Sequence, residues 1–345
     1  MAIETQTISS QEIKPLFSRG TSNNQAFGTA HEDAHTFYDM GLNSFTMPYD
    51  SSALEVAPNL SGHSGQIESQ GRHRRDLNTY TFDVSFKGTV VGILQNCLWA
   101  FGDAATAAEL TPAIGIGNGT AGDMQMKHGA ASKNHCTVIF RNGGTDATAD
   151  DLVVRGAMIQ SMTLSEGVDA NSGQLTVDSS FWTPYPPTEE ANTVSSNITV
   201  DAGNAPKSIF ALNTNSTASA IQLGGQELMP LSWEITISRG LERVGSQDYS
   251  SFLPYAVVQT GAWEVTGSVT VKADDNTYDI VAKMQGDSAG INLSIDESSG
   301  FAIDCPDVMI DAANIDTGGN FLTHTIPFRA FAASSTANII SITAS

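Results

Sequence analysis

Apolar and polar residues alternate along several stretches of the chain. Trp263, Val265, Val269 and Val271 interleave with Glu264, Thr266, Ser268 and Thr270, the period of two that turns one face of a strand to a core and the other outward. The first half carries the same kind of strand. There Tyr80, Phe82, Val84 and Phe86 interleave with Thr81, Asp83 and Ser85, and aligning Tyr80 with Trp263 gives an offset of 183 (263 − 80). The period changes soon afterwards. Leu94, Cys97, Leu98 and Phe101 recur at helical spacing and end at Gly102, which predicts a short helix over 93–101 with glycine at its C-terminus. Tyr278, Val281 and Ala282, ending at Gly286, predict a counterpart helix at an offset of 184, with Asp274, Asp275 and Asn276 as N-cap candidates.

Self-similarity at long period bears on the whole fold. Ser44-Phe45-Thr46-Met47 corresponds to Ser232-Trp233-Glu234-Ile235, and Thr137-Val138-Ile139-Phe140 to Leu293-Ser294-Ile295. Each half closes on two more predicted strands, Met158 to Leu164 and Leu175 to Trp182 in the first, Val308 to Ile315 and Phe321 to Phe331 in the second. The pattern divides the chain into a polar arm over 1–40, a first unit over 41–183, a linker over 184–193 and a second unit over 194–345. Pro184, Pro186 and Pro187 make the linker unsuited to a central strand. The offset falls from 184 to 156 after the first helix, so the first unit holds roughly 30 additional residues, longer than ordinary connections. This segment, 104–134, is rich in Gly, Ala and Thr without a sustained period, which predicts a long surface loop.

Composition narrows the functions. Of 345 residues, 40% are apolar and 15% charged, with 16 Lys+Arg against 37 Asp+Glu and a net charge of −21. A core is within reach, but a groove that grips nucleic-acid phosphates needs clustered cations that this balance lacks. Cys97, Cys136 and Cys305 are far apart and read as buried free thiols rather than a disulfide framework or zinc knuckle. The polar start, with Glu4 and Glu12, shows neither the apolar core of a signal peptide nor a spanning helix. Without a secretory signal, the Asn197-to-Thr199 sequon carries no glycosylation meaning.

Four motifs carry possible chemistry. His31-Glu32-Asp33-Ala34-His35 matches H-E-x-x-H, which on a helix presents two imidazoles to zinc with the glutamate as general base. Here no apolar helical stripe surrounds it. Gly117-Asn118-Gly119-Thr120-Ala121-Gly122 matches G-x-G-x-x-G without the strand-to-helix frame that phosphate binding requires, and reads as a loop. Arg72-His73-Arg74-Arg75 is a basic cluster in an acidic chain, too small to hold a duplex; it suits an acidic surface on a neighbouring copy, with a solvated turn as the plainer reading. Asp274-Asp275 and Glu189-Glu190 fall in turn or linker sequence, and no nucleophile signature occurs.

The second half carries a resemblance. Ser232-Trp233-Glu234-Ile235-Thr236-Ile237-Ser238-Arg239-Gly240-Leu241-Glu242, the strand Ala262 to Val271, and the closing Phe328-Arg329-Ala330-Phe331 resemble the tail tube (major tail) proteins of long-tailed bacteriophages, over about residues 225–335. The first half joins through the internal repeat. The resemblance implies a mainly β (α+β) chain of two tandem β-sandwich or barrel-like tube domains, each flanked by a short helix. It implies rings that stack into a hollow tube conducting DNA, with no catalysis and no cofactor. Self-contacts, tape-measure, tail terminator and tail-tip or baseplate proteins, and passing double-stranded DNA held without tight binding are the implied partners. The implied location is the virion tail, after synthesis in the host cytoplasm and without membrane insertion. If single-domain relatives form six-fold rings, a duplicated chain forms a homotrimer with pseudo-six-fold symmetry. Asp83, Glu234 and Glu264, at outward strand positions, are then candidates to face the lumen, where carboxylates repel phosphates. The arm and the 104–134 loop become candidate contacts between rings. Two other readings stand beside this one: a tail-fibre module or capsid decoration protein, and a zinc hydrolase built on His31, Glu32 and His35.

Overall fold

The computed structural model describes residues 13–18, 25–28, 37–48, 54–57, 72–75, 79–101, 113–116, 125–127, 131–132, 135–141, 150–170, 173–191, 198–200, 221–245, 253–273, 291–297, 301–311, 314–319, 322–332 and 338–344. The chain is mainly β. Its first half contains β1 (Lys14–Ser18), β2 (Gln25–Ala26), β3 (Phe37–Asp39), β4 (Leu42–Phe45), β5 (Leu54–Ala57), β6 (Arg72–Arg75), β7 (Tyr80–Lys87), α1 (Val90–Phe101), β8 (Ala113–Ile116), β9 (Gln125–Lys127), β10 (Ala131–Ser132), β11 (Cys136–Arg141), β12 (Asp150–Gly167), β13 (Thr176–Thr183) and β14 (Thr188–Ala191). The second contains β15 (Ile198–Val200), β16 (Ile221–Leu223), β17 (Gln226–Leu228), β18 (Pro230–Val244), β19 (Ala256–Lys272), β20 (Ile291–Glu297), β21 (Phe301–Ile310), β22 (Asn314–Asp316), β23 (Thr323–Phe331) and β24 (Ile340–Ala344).

One succession of antiparallel pairings occurs twice. In the first half β4 pairs with β7, β7 with β13, β13 with β12, β12 with β11 and β14, and β11 with β1. In the second, β18 pairs with β19, β19 with β23, β23 with β21, β21 with β20 and β24, and β20 with β16. The irregularities recur as well. A register shift between Leu42 and Ser44 against β7 has its match between Pro230 and Ser232 against β19, an offset of 188 (230 − 42). A shift between Cys136 and Val138, where Ala157 gives way to Val154, has its match between Ile291 and Leu293, where Val308 gives way to Cys305, so that Ala157 and Val308 correspond at an offset of 151 (308 − 157). Single bonds repeat too: Gly88 N–H donates to Leu175 C=O at 2.8 Å, and Ala273 N–H to Leu322 C=O at 2.9 Å. Bulges are specific features of a ladder rather than noise, so their recurrence fixes the correspondence. The last pair places Tyr80 opposite Val265 in the repeat (273 − 88 gives 185), two residues from the expected Trp263. A slip of two leaves every side chain on its face.

The halves are joined in one sheet. Seven pairs, from Ser161↔Ser238 to Gly167↔Ser232, unite β12 with β18, so the order β4-β7-β13-β12-β18-β19-β23 runs unbroken through both. Within one chain this sheet does not close on itself: among the described residues β4 registers with β7 alone and β22 with β23 alone. A second layer is reached through bent strands. β12 pairs with β11 and β14 up to Ala157 and with β13 and β18 beyond it, and the bend falls at Gly156, whose φ of 55° suits a residue without Cβ.

The apolar face of the long sheet builds one core from both halves, including Phe82, Phe181, Ile235, Val269 and Phe328. Phe82 and Phe181 stack at 5.0 Å and Phe17 stacks on Trp99 at 5.6 Å, pairs worth about 0.5–1.5 kcal/mol each beyond area burial. Helix α1 covers this core against β12 and β13. Thr89 Oγ1 accepts from Gly92 N–H at 3.0 Å at its start, and Asn96 Oδ1 accepts from Ser179 Oγ at 2.8 Å, tying it to β13.

Several expectations change. The segment read as a polar arm contributes β1, whose Leu16 and Phe17 are buried, because two apolar residues are too few to show a period. The 104–134 segment is not wholly irregular: β8, β9 and β10 pair with β24, β19 and β2. The linker contains β14, which starts at Thr188 immediately after the prolines and pairs with β12. The expected helix around 278–286 lies outside the described residues.

Candidate functional site

The solvent side of the long sheet is built by the same alternation that builds the core. Directly paired residues in an antiparallel ladder share a face. Asp83 pairs with Ser180, Ser180 with Ser161, Ser161 with Ser238, and Ser238 with Glu264. Asp83 and Glu264 therefore share one cross-strand row, separated by four strand spacings of about 4.8 Å. Glu234 stands four residues from Ser238 on β18, on the same face, with Ser165 and Ser268 beside it. All three candidate carboxylates are exposed on one surface.

That surface is rich in hydroxyls already paired with one another. Thr163 and Thr236 meet at 2.8 Å, Ser165 and Thr176 at 3.0 Å, and Thr270 and Thr325 at 3.2 Å. Ser268 Oγ donates to Glu234 Oε1 at 3.3 Å. The same face carries further exposed charges: Lys87, four residues beyond Asp83 on β7, Lys272, eight beyond Glu264 on β19, and, through register, Asp178 on β13 and Arg329 on β23. Arg329 Nη2 donates to Glu264 Oε1 at 2.9 Å. With the four carboxylates Asp83, Asp178, Glu234 and Glu264 against the three cations Lys87, Lys272 and Arg329, this face is polar and close to neutral rather than densely acidic. Lys87 and Lys272 correspond at the 185 offset, the signal that points to them in the sequence.

A cleft of about 550 Å³ opens in the same row, lined by Gln160, Ser161, Ser238, Arg239, Gly240 and Glu264 among others. Arg239 is buried at its floor, with Nε donating to Ile159 C=O at 2.9 Å and the guanidinium 4.9 Å from the Trp263 ring centroid. Burial lowers its pKa to about 9. Ser161, Ser238 and Glu264 have no imidazole or lysine among the cleft residues to activate a hydroxyl, so the arrangement offers hydrogen bonds and charge but no nucleophile.

The other candidates are placed as follows. Arg72, His73, Arg74 and Arg75 form β6, a strand rather than a turn, antiparallel to β5 with Arg74 in register with Glu55. His31, Glu32 and His35 lie outside the described residues, as do residues 117–122. No group of three metal-ligating side chains occurs among the described residues, and no helix among them is long and apolar enough to cross a membrane.

No curated protein matches the chain in sequence. The model of one family does match, that of the phage tail tube protein, over residues 69–330, a span that takes in the β7–β13–β12–β18–β19–β23 face and its cleft. The chain belongs to the phage tail tube protein family.

Proposed function

We propose that this structural protein of the virion tail polymerises as stacked rings of three copies, each copy a duplicated tube domain, into the hollow tube that conducts DNA during ejection. The carrying observation is the twofold strand succession with matching bulges. Two equivalent units already joined edge to edge are one third of a six-unit ring, and a head-to-tail contact that closes needs no second kind of interface. The two units are built on 41–183 and 194–345, the first completed by β1 from the preceding arm and by β14 from the 184–193 segment. The protein is no enzyme, as its family is structural.

The polar face carrying Asp83, Glu234 and Glu264 is assigned to the lumen. A phosphate backbone passing over it meets hydroxyls satisfied by one another and cations offset by carboxylates, so it gains little by stopping. Arg72 to Arg75 and the 104–134 segment are assigned to contacts between copies, and tape-measure, terminator and tip or baseplate proteins to the two ends of the tube and its filling. Synthesis in the host cytoplasm precedes assembly.

Negative-stain electron microscopy of the purified chain over a range of protein and salt concentrations tests the reading. Hollow tubes with a regular ring repeat and three-fold symmetry are expected. Monomers or closed particles at every concentration, also in the presence of tail initiator proteins, would overturn it.

A further inference from the structure

The strand correspondence leaves two edges whose equivalents are paired. In the first half the far part of β12 lies between β13 and β18. Its equivalent in the second half is β22 with the residues that follow, at the offset of 151, which sets Leu164 against Ile315, Ser165 against Asp316 and Gly167 against Gly318. On one side β22 has β23; no strand takes the place of β18 on the other among the described residues. The equivalent of β18, at the offset of 188, is β4 with Thr46 and Met47. It has β7 on one side and, among the described residues, no strand on the other.

Burial marks both edges as incomplete. Leu164 and Ile235, which face each other across the β12–β18 seam, are each fully buried. Their equivalents are not: Ile315 is 50% exposed, and Met47 is half-buried. Trp233 is buried while its equivalent, Phe45, is half-buried. The same positions of one fold thus hold apolar side chains in two environments, differing by the presence of the neighbouring strand.

We infer that β22 of one copy pairs antiparallel with β4 of the next, in the register of the β12–β18 seam. Leu164↔Ile235 becomes Ile315↔Met47, Ser165↔Glu234 becomes Asp316↔Thr46, and Gly167↔Ser232 becomes Gly318↔Ser44. The pairing carries the polar face and the core across the subunit boundary and satisfies two strand edges at once. It rests on the ring reading above and specifies which edges make the ring.

Disulfide trapping tests the register. Facing Cα atoms in an antiparallel pair lie about 4.5–5.5 Å apart, within reach of a disulfide. Under mild oxidation, the full-length double variant Thr46→Cys, Asp316→Cys is expected to give covalent dimers and trimers on a non-reducing gel, with no larger species. The in-chain equivalent, Ser165→Cys with Glu234→Cys, is expected to close within each monomer and shows that the geometry permits the bond. Ile315→Lys, judged folded by circular dichroism and thermal unfolding, is expected to stay monomeric. Rings in the microscope without the covalent link between positions 46 and 316, while the in-chain control closes, would overturn the edge assignment and leave the tube reading standing. Species larger than trimers would overturn three-fold closure. A folded chain that makes no rings at all would overturn both.

Discussion

Trp233 donates its indole N–H to Glu166 Oε2 at 3.1 Å across the strand seam that joins the two halves, and both residues are buried. A buried carboxylate deprived of a donor costs about 1–3 kcal/mol or more. Trp233→Phe is therefore expected to lower the urea midpoint by that order of free energy, with Glu166→Gln, which keeps an acceptor for the indole, costing less. An equal loss from Trp233→Phe in the native chain and in a Glu166→Leu background would assign the Trp233 effect to packing alone.

Gly267 lies where β18, β19 and β23 meet. A Cβ there would strike the backbone carbonyl of Glu234 and come within 2.6 Å of Phe328 Cζ. Gly267→Ala is expected to cost about 1–3 kcal/mol, as overpacking does, and trimming the ring with Phe328→Leu should not restore stability, because the backbone clash remains. Denaturant unfolding of the single and double variants measures both.

His135 is buried against Phe27, with ring centroids 5.3 Å apart. Desolvation lowers its pKa from 6.5 to about 4. The unfolded chain then takes up the proton first as pH falls, so the neutral imidazole's contribution is intact above pH 6.5 and declines towards pH 4, by up to about 3 kcal/mol. Stability measured against pH should fall less steeply in that window for a folded His135→Gln variant.

Cys97, Cys136 and Cys305 are free and buried. Burial raises the pKa of all three thiols, that of Cys305 to about 12. A thiol-specific reagent at pH 8 is expected to label none in the native chain and all three after denaturation; rapid native labelling would contradict the packing of α1, β11 or β21.

Exposed Glu264 and Arg329 form a pair worth less than about 1 kcal/mol, so Arg329→Ala should barely move stability. The sign of charge on the face matters more. Phage carrying Asp83→Lys, Glu234→Lys and Glu264→Lys together are expected to eject DNA more slowly at low salt, the difference shrinking as salt rises. Unchanged ejection kinetics would take the face out of the lumen.

Legibility in the sequence followed period. The alternation at Tyr80–Phe86 and Trp263–Val271 gave two strands with their correct faces, and the apolar spacing at Leu94–Cys97 gave α1. Asp83, Glu234 and Glu264 come together on one surface because each is an odd step from a buried neighbour, a relation a sequence displays directly. What stayed hidden has no period to show. β1 buries only a few residues, and β8, β9 and β10 are two to four residues long. β14 is defined by its partner β12 rather than by its own residues. Lys87 and Lys272 stand even steps from Asp83 and Glu264 on their own strands and so were legible by alternation, whereas Arg329 joins them only through the register of β23 with β19.

The seam between β12 and β18 lies within a single polypeptide, so dilution acts on it differently from any contact between separate copies. Its strands meet at an effective concentration set by the chain that connects them, independent of how much protein is present. Disassembly would therefore separate one copy from another and leave this seam whole. Because the core also draws on both sides of the seam, thermal or denaturant unfolding of a dispersed copy should proceed in one cooperative step rather than two.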